Sequence, residues 1–448
     1  MSRLFGTDGV RGVVGEDLTL DLAKAIGRAV TEIAGGGAPR VMVGRDTRSS
    51  GPSLEGALTR GIEEAGGQAV SLGVVPTPAV AFLTAQLDGA AGIVVSASHN
   101  PPEYNGIKVF DSTGQKLADD LETEVEQKVL AGFPSATTTD RVPPRTEPDA
   151  SGGAAAVERY VSHLTALALA PLDGMKIVID CANGAAHRLG PEVLRRLGAS
   201  VVAINDAPDG SNINVGCGAT HPEVLSAAVV GEGADAGVAH DGDADRAIFA
   251  DAEGGIVDGD HVIAACALAM KEDGTLAKDT VVTTVMANLG FRRAMEDAGI
   301  TVESTRVGDR FVLEEMQRVG ASLGGEQSGH VIFLDHATTG DGLLTAVRFL
   351  TLAASRGLTV EELASCVRKL PQVLIGVEVK DRGGLEQATE VWQAVRTAEQ
   401  EMGDGGRILV RSSGTEPLVR VMVEAELEAD AQRHAEAIAQ VVRSSMGA

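Results

Sequence analysis

Lys176-Ile177-Val178-Ile179-Asp180, the turn residues Asn183-Gly184, a helical stretch stopping at Leu197-Gly198, and then Val201-Val202-Ala203-Ile204 decide the architecture of this chain. A short apolar strand, a polar glycine-containing turn, an amphipathic helix and a second apolar strand make one βαβ unit. The layout occurs twice more. Upstream it runs through Val41-Met42-Val43, Gly44-Arg45-Asp46, a helix ending near Glu64-Ala65-Gly66-Gly67, and Ala69-Val70-Ser71-Leu72. Downstream it runs through Thr280-Val281-Val282-Thr283-Thr284, Asn288-Leu289-Gly290, the stop Ala298-Gly299, and Thr301-Val302-Glu303-Ser304. Three α/β domains of similar build are expected, over residues 1–150, 151–255 and 256–368. After Cys366 the pattern changes to Leu374–Val379, a polar helix, Arg407–Val410, Val419–Val423 and a last helix. This reads as a smaller α+β domain over residues 369–448. The stretch from Pro134 to Ser151, rich in Pro, Thr, Asp and Arg, has no period and reads as a linker.

Composition agrees with several domains. A chain of 448 residues exceeds one core and suggests about three domains by length. Apolar residues make up 44% and aromatics only 3%, so the cores should be built from small aliphatics. The N-terminus carries no basic-then-apolar leader and no apolar run approaches about 18 residues, which reads as a soluble, untargeted protein. Cys181, Cys217, Cys266 and Cys366 are far apart with no CxxC pair, which speaks against a zinc site or disulfide framework and suits the cytoplasm. The formal charge of −25 excludes nucleic acid and anionic membranes as partners. It would also repel a phosphate ester, so such a substrate requires arginines and helix N-termini gathered at short range.

Chemistry-bearing residues follow the strands, where doubly wound sheets bind ligands. The apolar run Gly92-Ile93-Val94-Val95 stops at Ser96-Ala97-Ser98-His99-Asn100-Pro101. Ser98 reads as a nucleophile, or Ser96 and Ser98 read as turn residues before Asn100-Pro101; a Ser-His-Asp hydrolase is disfavoured, because adjacent Ser98 and His99 diverge and no G-x-S-x-G elbow is present. A serine that carries a phosphoryl group needs nearby cations, and Lys108 is close in sequence. Asp241-Gly242-Asp243-Ala244-Asp245-Arg246 sets three carboxylates on alternate residues between apolar flanks, where their repulsion calls for a cation. A calcium loop fails, since its sixth position is Arg246 and its twelfth Ala252; Mg²⁺ fits a site completed by a phosphate oxygen, and a solvated acidic turn is the bland reading. Arg411-Ser412-Ser413-Gly414-Thr415-Glu416-Pro417 offers a guanidinium fork, hydroxyls and backbone N–H groups suited to a phosphate. Gly324-Gly325-Glu326-Gln327-Ser328-Gly329-His330 suits sugar hydroxyls and a proton-moving His. Phe5–Gly12 and Gly44-Arg45-Asp46-Thr47-Arg48 bring further loop arginines, for which salt-bridged surface residues are the commoner reading.

Taken in order, these runs resemble the α-D-phosphohexomutase superfamily from end to end, which implies an α/β architecture of four domains around one cleft. SASHNPPEYNGIK is similar to its phosphoserine loop, DGDADR to its metal loop, GEQSGH to its sugar loop and RSSGTEPLVR to its phosphate loop. The FGTDGVRG start, TRVGDRFVLEEM (Thr305–Met316) and the GGEQSGH loop resemble the branch acting on glucosamine phosphates. The resemblance implies an isomerase that interconverts glucosamine 6-phosphate and glucosamine 1-phosphate through a phosphoserine and a glucosamine 1,6-bisphosphate, feeding UDP-N-acetylglucosamine synthesis. The same chemistry on mannose or glucose phosphates is the alternative, and a non-catalytic sugar-phosphate or metal-binding protein is the alternative of another class. By resemblance alone, Ser98 rather than Ser96 is the phosphorylated serine, and it binds Mg²⁺ together with Asp241, Asp243 and Asp245. Arg11, His99, Lys108, Arg246 and His330 would then handle charge and protons. Glu326 and Ser328 would read sugar hydroxyls, and Arg411, Ser413, Gly414, Thr415 and Arg420 would hold the non-reacting phosphate. A homodimer, and priming of Ser98 by a kinase or by autophosphorylation, complete the expected partners.

Overall fold

The computed structural model describes residues 4–6, 9–132, 153–413 and 417–447; Pro134–Ser151, Gly414 and Thr415 lie outside them. The chain divides into two compact units, Met1–Met286 with Ile300–Cys366, and Ala287–Gly299 with Val367–Ala448.

The first unit holds three sheets. One consists of β1 (Val10–Val13), β2 (Arg40–Arg45), β3 (Gln68–Val74), β4 (Ala91–Val95) and β5 (Tyr104–Phe110) in the order β1-β5-β4-β2-β3. The helices α1 (Leu20–Ala34), α2 (Gly51–Glu64), α3 (Thr77–Gln86) and α4 (Asp119–Gly132) accompany it. Thr19 starts α1 by accepting the Leu22 N–H, and Pro52 in the first turn of α2 loses no hydrogen bond there. The two helices approach so closely that a Cβ on Gly27 or Gly61 would meet the facing main chain. The second sheet consists of β6 (Lys176–Asp180), β7 (Ser200–Ile204), β8 (Ala236–Ala239), β9 (Ile248–Asp251) and β10 (Ile256–Val257) in the order β10-β9-β8-β6-β7, with α5 (Gly153–Ala166), α6 (Ala186–Arg196) and α7 (Pro222–Glu232). After α8 (Gly259–Glu272), the third consists of β11 (Thr280–Thr284), β12 (Thr301–Thr305), β13 (Leu323–Gly325) and β14 (Val331–Phe333) in the order β12-β11-β13-β14. The chain between β11 and β12 forms α9 (Leu289–Asp297), which belongs to the second unit. Helices α10 (Asp309–Val319), α11 (Gly342–Arg356) and α12 (Val360–Ala364) complete the first.

Each sheet repeats one plan. A central strand pairs in parallel with two neighbours, and a final strand returns antiparallel beside one of them. The β4–β5, β8–β9 and β13–β14 connections are therefore equivalent, and they carry the Ser98, Asp241 and Glu326 runs respectively. The cores are aliphatic, as the composition predicts: Val41, Val43, Ile93 and Val95 in the first sheet and Ile177, Val178 and Ile179 in the second are fully buried.

In the second unit, β15 (Gln372–Glu378), β16 (Gly406–Ser412) and β17 (Leu418–Ala425) form an antiparallel sheet in the order β15-β17-β16, with α13 (Thr389–Met402) and α14 (Glu428–Met446). Val391, Val419, Val421, Ile438 and Val442 fill its core. Asn288 exchanges hydrogen bonds with the main chain of Leu370, at 3.0 and 2.9 Å, and the Leu289 N–H donates to Glu424 at 2.9 Å, which fastens the start of α9. The helix that completes the third βαβ pattern thus packs with the C-terminal sheet. No helix among the described residues is long and apolar enough to cross a membrane.

Candidate active site

Ser98 lies in the β4–β5 connection with its side chain 2% exposed and a backbone φ of 50°, a conformation that few L-residues adopt. Its hydroxyl donates to Asp241 Oδ2 at 2.6 Å and lies 3.3 Å from His99 Nδ1. Ser96 is employed otherwise: its hydroxyl donates to Asp46 at 2.6 Å and accepts the Ser98 N–H at 3.0 Å. Of the two serines, Ser98 faces the carboxylates.

Asp241, Asp243 and Asp245 occupy the β8–β9 connection, all buried, with one oxygen of each within 4.8 Å of the others. Lys108 on β5, 2% exposed, donates to Asp243 Oδ2 at 3.0 Å and lies 3.6 Å from Asp245. Thr77 also donates to Asp243 Oδ2, at 2.6 Å. The Oδ1 atom of each aspartate is buried without a hydrogen-bond partner. Buried carboxylate oxygens without hydrogen bonds on three clustered aspartates are costly unless a cation takes them, and an all-oxygen set suits a hard divalent ion. Burial and the charges of Asp245 and Asp243 push the Asp241 carboxyl well above the usual carboxylate range. Burial would raise Asp245 too, but Lys108, His330 and Arg246 outweigh it and hold that carboxyl below the range.

The loop before β14 adds further groups. His330 is buried, with Nδ1 3.7 Å from Asp245 and Nε2 accepting the Gly340 N–H at 3.2 Å. Burial opposes its charge, but Asp245, Asp309 and Glu326 raise its pKa on balance. His99 goes the other way: burial, Arg246 and Arg11 bring it down to about 4, so it is neutral near pH 7. Arg246 lies 3.8 Å from Asp245, and Arg11 on β1 reaches the Asn100 side chain at 3.5 Å. Glu326 accepts the Gly308 N–H at 3.0 Å, and the Ser328 hydroxyl is buried without a hydrogen-bond partner. In the second unit, Arg411 and Arg420 stand opposite each other on β16 and β17, and Ser413 follows β16. Burial, then the neighbouring Arg420, lowers the Arg411 pKa. Two like charges so placed favour an anion between or beside them.

The structure also uses residues that sequence reasoning passed over. Arg48 is fully buried rather than a surface arginine. It pairs with Asp46 at 2.9 Å and donates to the carbonyls of Ser98, Asn100 and Tyr104 at 3.0, 2.8 and 2.9 Å, and to that of Pro101. Asn214, in the loop after β7, donates to the carbonyls of Ser98 and Asn100 at 2.9 and 3.2 Å. The close Arg48 and Asp46 pair was a possible signal; Asn214 offered none.

Comparison with known proteins agrees with this geometry. Profiles described as phosphoglucomutase/phosphomannomutase match the chain in four parts: alpha/beta/alpha domain I over residues 2–134, domain II over 158–255, domain III over 258–370 and the C-terminal domain over 374–441. The phosphoglucosamine mutase of Thermobifida fusca (strain YX) is 50% identical over 453 residues, covering 100% of this chain and 99% of that protein. That of Symbiobacterium thermophilum is 51% identical over 453 residues and covers 100% of both. Among solved structures, a phosphoglucomutase/phosphomannomutase family protein from Burkholderia thailandensis matches with a TM-score of 0.80 at 26% identity, covering 99% of this chain and 98% of that one. Aspergillus fumigatus N-acetylphosphoglucosamine mutase, in complex with GlcNAc-6P and magnesium, matches in fold with a TM-score of 0.67 at 18% identity, covering 99% and 96%. From four matched domains and full-length relatives at half identity, the chain belongs to the phosphoglucomutase/phosphomannomutase family of α-D-phosphohexomutases, in its phosphoglucosamine mutase branch.

Proposed function

We propose that this chain interconverts glucosamine 6-phosphate and glucosamine 1-phosphate by way of phospho-Ser98 and glucosamine 1,6-bisphosphate. The observation that carries the reading is the Ser98 hydroxyl held 2.6 Å from Asp241, beside three carboxylates whose buried Oδ1 atoms have no hydrogen-bond partner. Asp241, Asp243 and Asp245 would hold Mg²⁺, which when bound supplies positive charge that polarises phosphoryl oxygens. The phosphorus–Oγ bond of Ser98 breaks as a bond forms to a sugar hydroxyl, and the bisphosphate turns over and returns its other phosphoryl group to Oγ. Lys108, Arg246 and Arg11 supply charge to the equatorial oxygens. Lys108, His99 and His330 are the candidates to take the hydroxyl proton; burial, Arg246 and Arg11 keep His99 neutral near pH 7, whereas Asp245, Asp309 and Glu326 raise the His330 pKa against its burial, and opposite shifts of this kind separate acid and base roles. Glu326 and Ser328 read the sugar hydroxyls. Arg411, Ser413, Gly414, Thr415 and Arg420 hold the phosphate that does not react, as the family resemblance implies for those positions. Ser98 is first phosphorylated by a kinase or by autophosphorylation.

The test is kcat/KM for glucosamine, mannose and glucose 1-phosphates in parallel, with Mg²⁺ and a trace of sugar 1,6-bisphosphate, beside mass analysis of Ser98 phosphorylation and the Ser98→Ala variant. Preference for glucosamine 1-phosphate, with loss of turnover in Ser98→Ala, is expected. Preference for mannose or glucose phosphate would overturn the substrate, and full activity of Ser98→Ala would overturn the mechanism.

A further inference from the structure

We propose that Asn214 and Arg48 are positioning residues that lock the backbone of the Ser98 loop for phosphoryl transfer, an inference that rests on Ser98 being the transferring serine. Two carbonyls, those of Ser98 and Asn100, are each gripped by the same two side chains, Arg48 Nη2 from the first sheet's domain and Asn214 Nδ2 from the second's. The held serine stands at φ 50°, so its peptide would relax toward negative φ if released. Relaxation would swing the Ser98 carbonyl off both donors and the hydroxyl off Asp241.

The Asn214 amide has one chemically sensible orientation. Both facing groups are carbonyl oxygens, which only accept, so the NH₂ group must point to them. Its Oδ1 is left buried with no hydrogen-bond partner, a cost an apolar residue would avoid. Asn214 itself stands at φ 60° and its N–H donates to Ala182 O at 3.0 Å, so the clamp is fixed to the second sheet's own loop. A serine fixed from two sides cannot follow a substrate that changes ends. The bisphosphate therefore does the turning, and the loop presents one unchanged Oγ position in both half-reactions.

Asn214→Gly tests this, because glycine accepts positive φ without strain while removing both donor bonds. Asn214→Asp keeps size and the left-handed tendency but has no N–H to give. Both variants are expected to lower kcat on glucosamine 1-phosphate about 10- to 100-fold, the scale of a sub-ångström to 1 Å misplacement, with KM within about twofold of wild type. A merely structural contact would lower the melting temperature and leave kcat per folded molecule and the kcat-to-KM split unmoved. If Asn214→Gly fails to fold, Asn214→Asp decides. Wild-type kcat in the folded variant, with Ser98→Ala inactive, overturns the clamp and leaves the serine assignment standing. Wild-type turnover by Ser98→Ala overturns that assignment and the clamp with it.

Discussion

Gly242 is the point where the aspartate loop rests on the serine loop, and replacing it with alanine should damage catalysis without touching any reacting group. A Cβ there would lie 2.6 Å from the Ser98 carbonyl oxygen, 2.8 Å from Asn214 Nδ2 and 2.9 Å from Ile213 Cδ1, where ordinary contact begins at 3.4 Å. One loop must yield by the difference of 3.4 and 2.6, about 0.8 Å, and neither yields freely. The Ser98 carbonyl is held by Arg48 and Asn214, and the Gly242 carbonyl accepts the Ala185 N–H at 2.8 Å. Overpacking of this kind costs about 1–3 kcal/mol, and a displacement near 1 Å between reacting groups can cost up to about 100-fold in rate. Gly242→Ala should therefore lose roughly 10- to 100-fold in kcat while KM stays within about twofold. The assay is phosphorus NMR of glucosamine 1-phosphate turnover with added bisphosphate, paired with thermal melting. Wild-type kcat with an unchanged melting temperature would refute the contact argument.

Arg48→Met should leave buried Asp46 without its cation and take one donor from each of four carbonyls, of which those of Ser98 and Asn100 keep Asn214, a loss of about 3–5 kcal/mol for the ion pair alone; a urea midpoint like that of wild type would contradict it. Mg²⁺ should raise the melting temperature, by about 2.7 kcal/mol of stability at a hundredfold excess over Kd, and Asp243→Asn should abolish most of that gain, as calorimetry would show. Asp341, which accepts from Tyr160 at 2.8 Å, is pushed up to about 6 by burial against its hydrogen bonds. The folded state then binds more protons than the unfolded one between about pH 4 and 6, so stability falls by about 3 kcal/mol as pH rises through that window and stays lower above it. Asp341→Asn should flatten the decline in urea melts from about pH 4 to 7, and an unaltered slope would exclude Asp341 as its source. Arg411→Ala should raise KM for the sugar phosphate about tenfold or more, the value of a charge-assisted bond of roughly 1.5–3 kcal/mol; unchanged KM places the phosphate elsewhere.

The parallel strands were legible because each is a short buried run between glycine turns, as in Lys176–Asp180. The antiparallel return strands were harder. Tyr104–Phe110 carries Asn105, Gly106 and Lys108 within a strand: the Asn105 amide donates to Ser50, a Cβ on Gly106 would meet the Ser96 carbonyl, and Lys108 pairs with Asp243, none of which strand propensity encodes. Alternating carboxylates announced the Asp241 cluster because few other arrangements would keep three charges so close. Arg48 was misread because a buried arginine is rare, and what permits it, four carbonyls converging from Ser98 to Tyr104, is set by a loop's path rather than by residue type. Asn214 reaches across 116 positions to Ser98, a distance no local pattern encodes.

Lys108 has a consequence for how the chain comes into being. Asp243, which it meets in the finished protein, follows it by 135 residues. At a synthesis rate of about 5–20 residues per second, the first sheet's sequence leaves the ribosome on the order of ten seconds before the second's is available. During that interval the Lys108 ammonium lacks both carboxylates that it meets in the finished protein, and any closure of the fold over it would bury an unpaired charge. Lys108 and the aspartate loop thus complete their buried ion pair only once the sequences of both sheets are present.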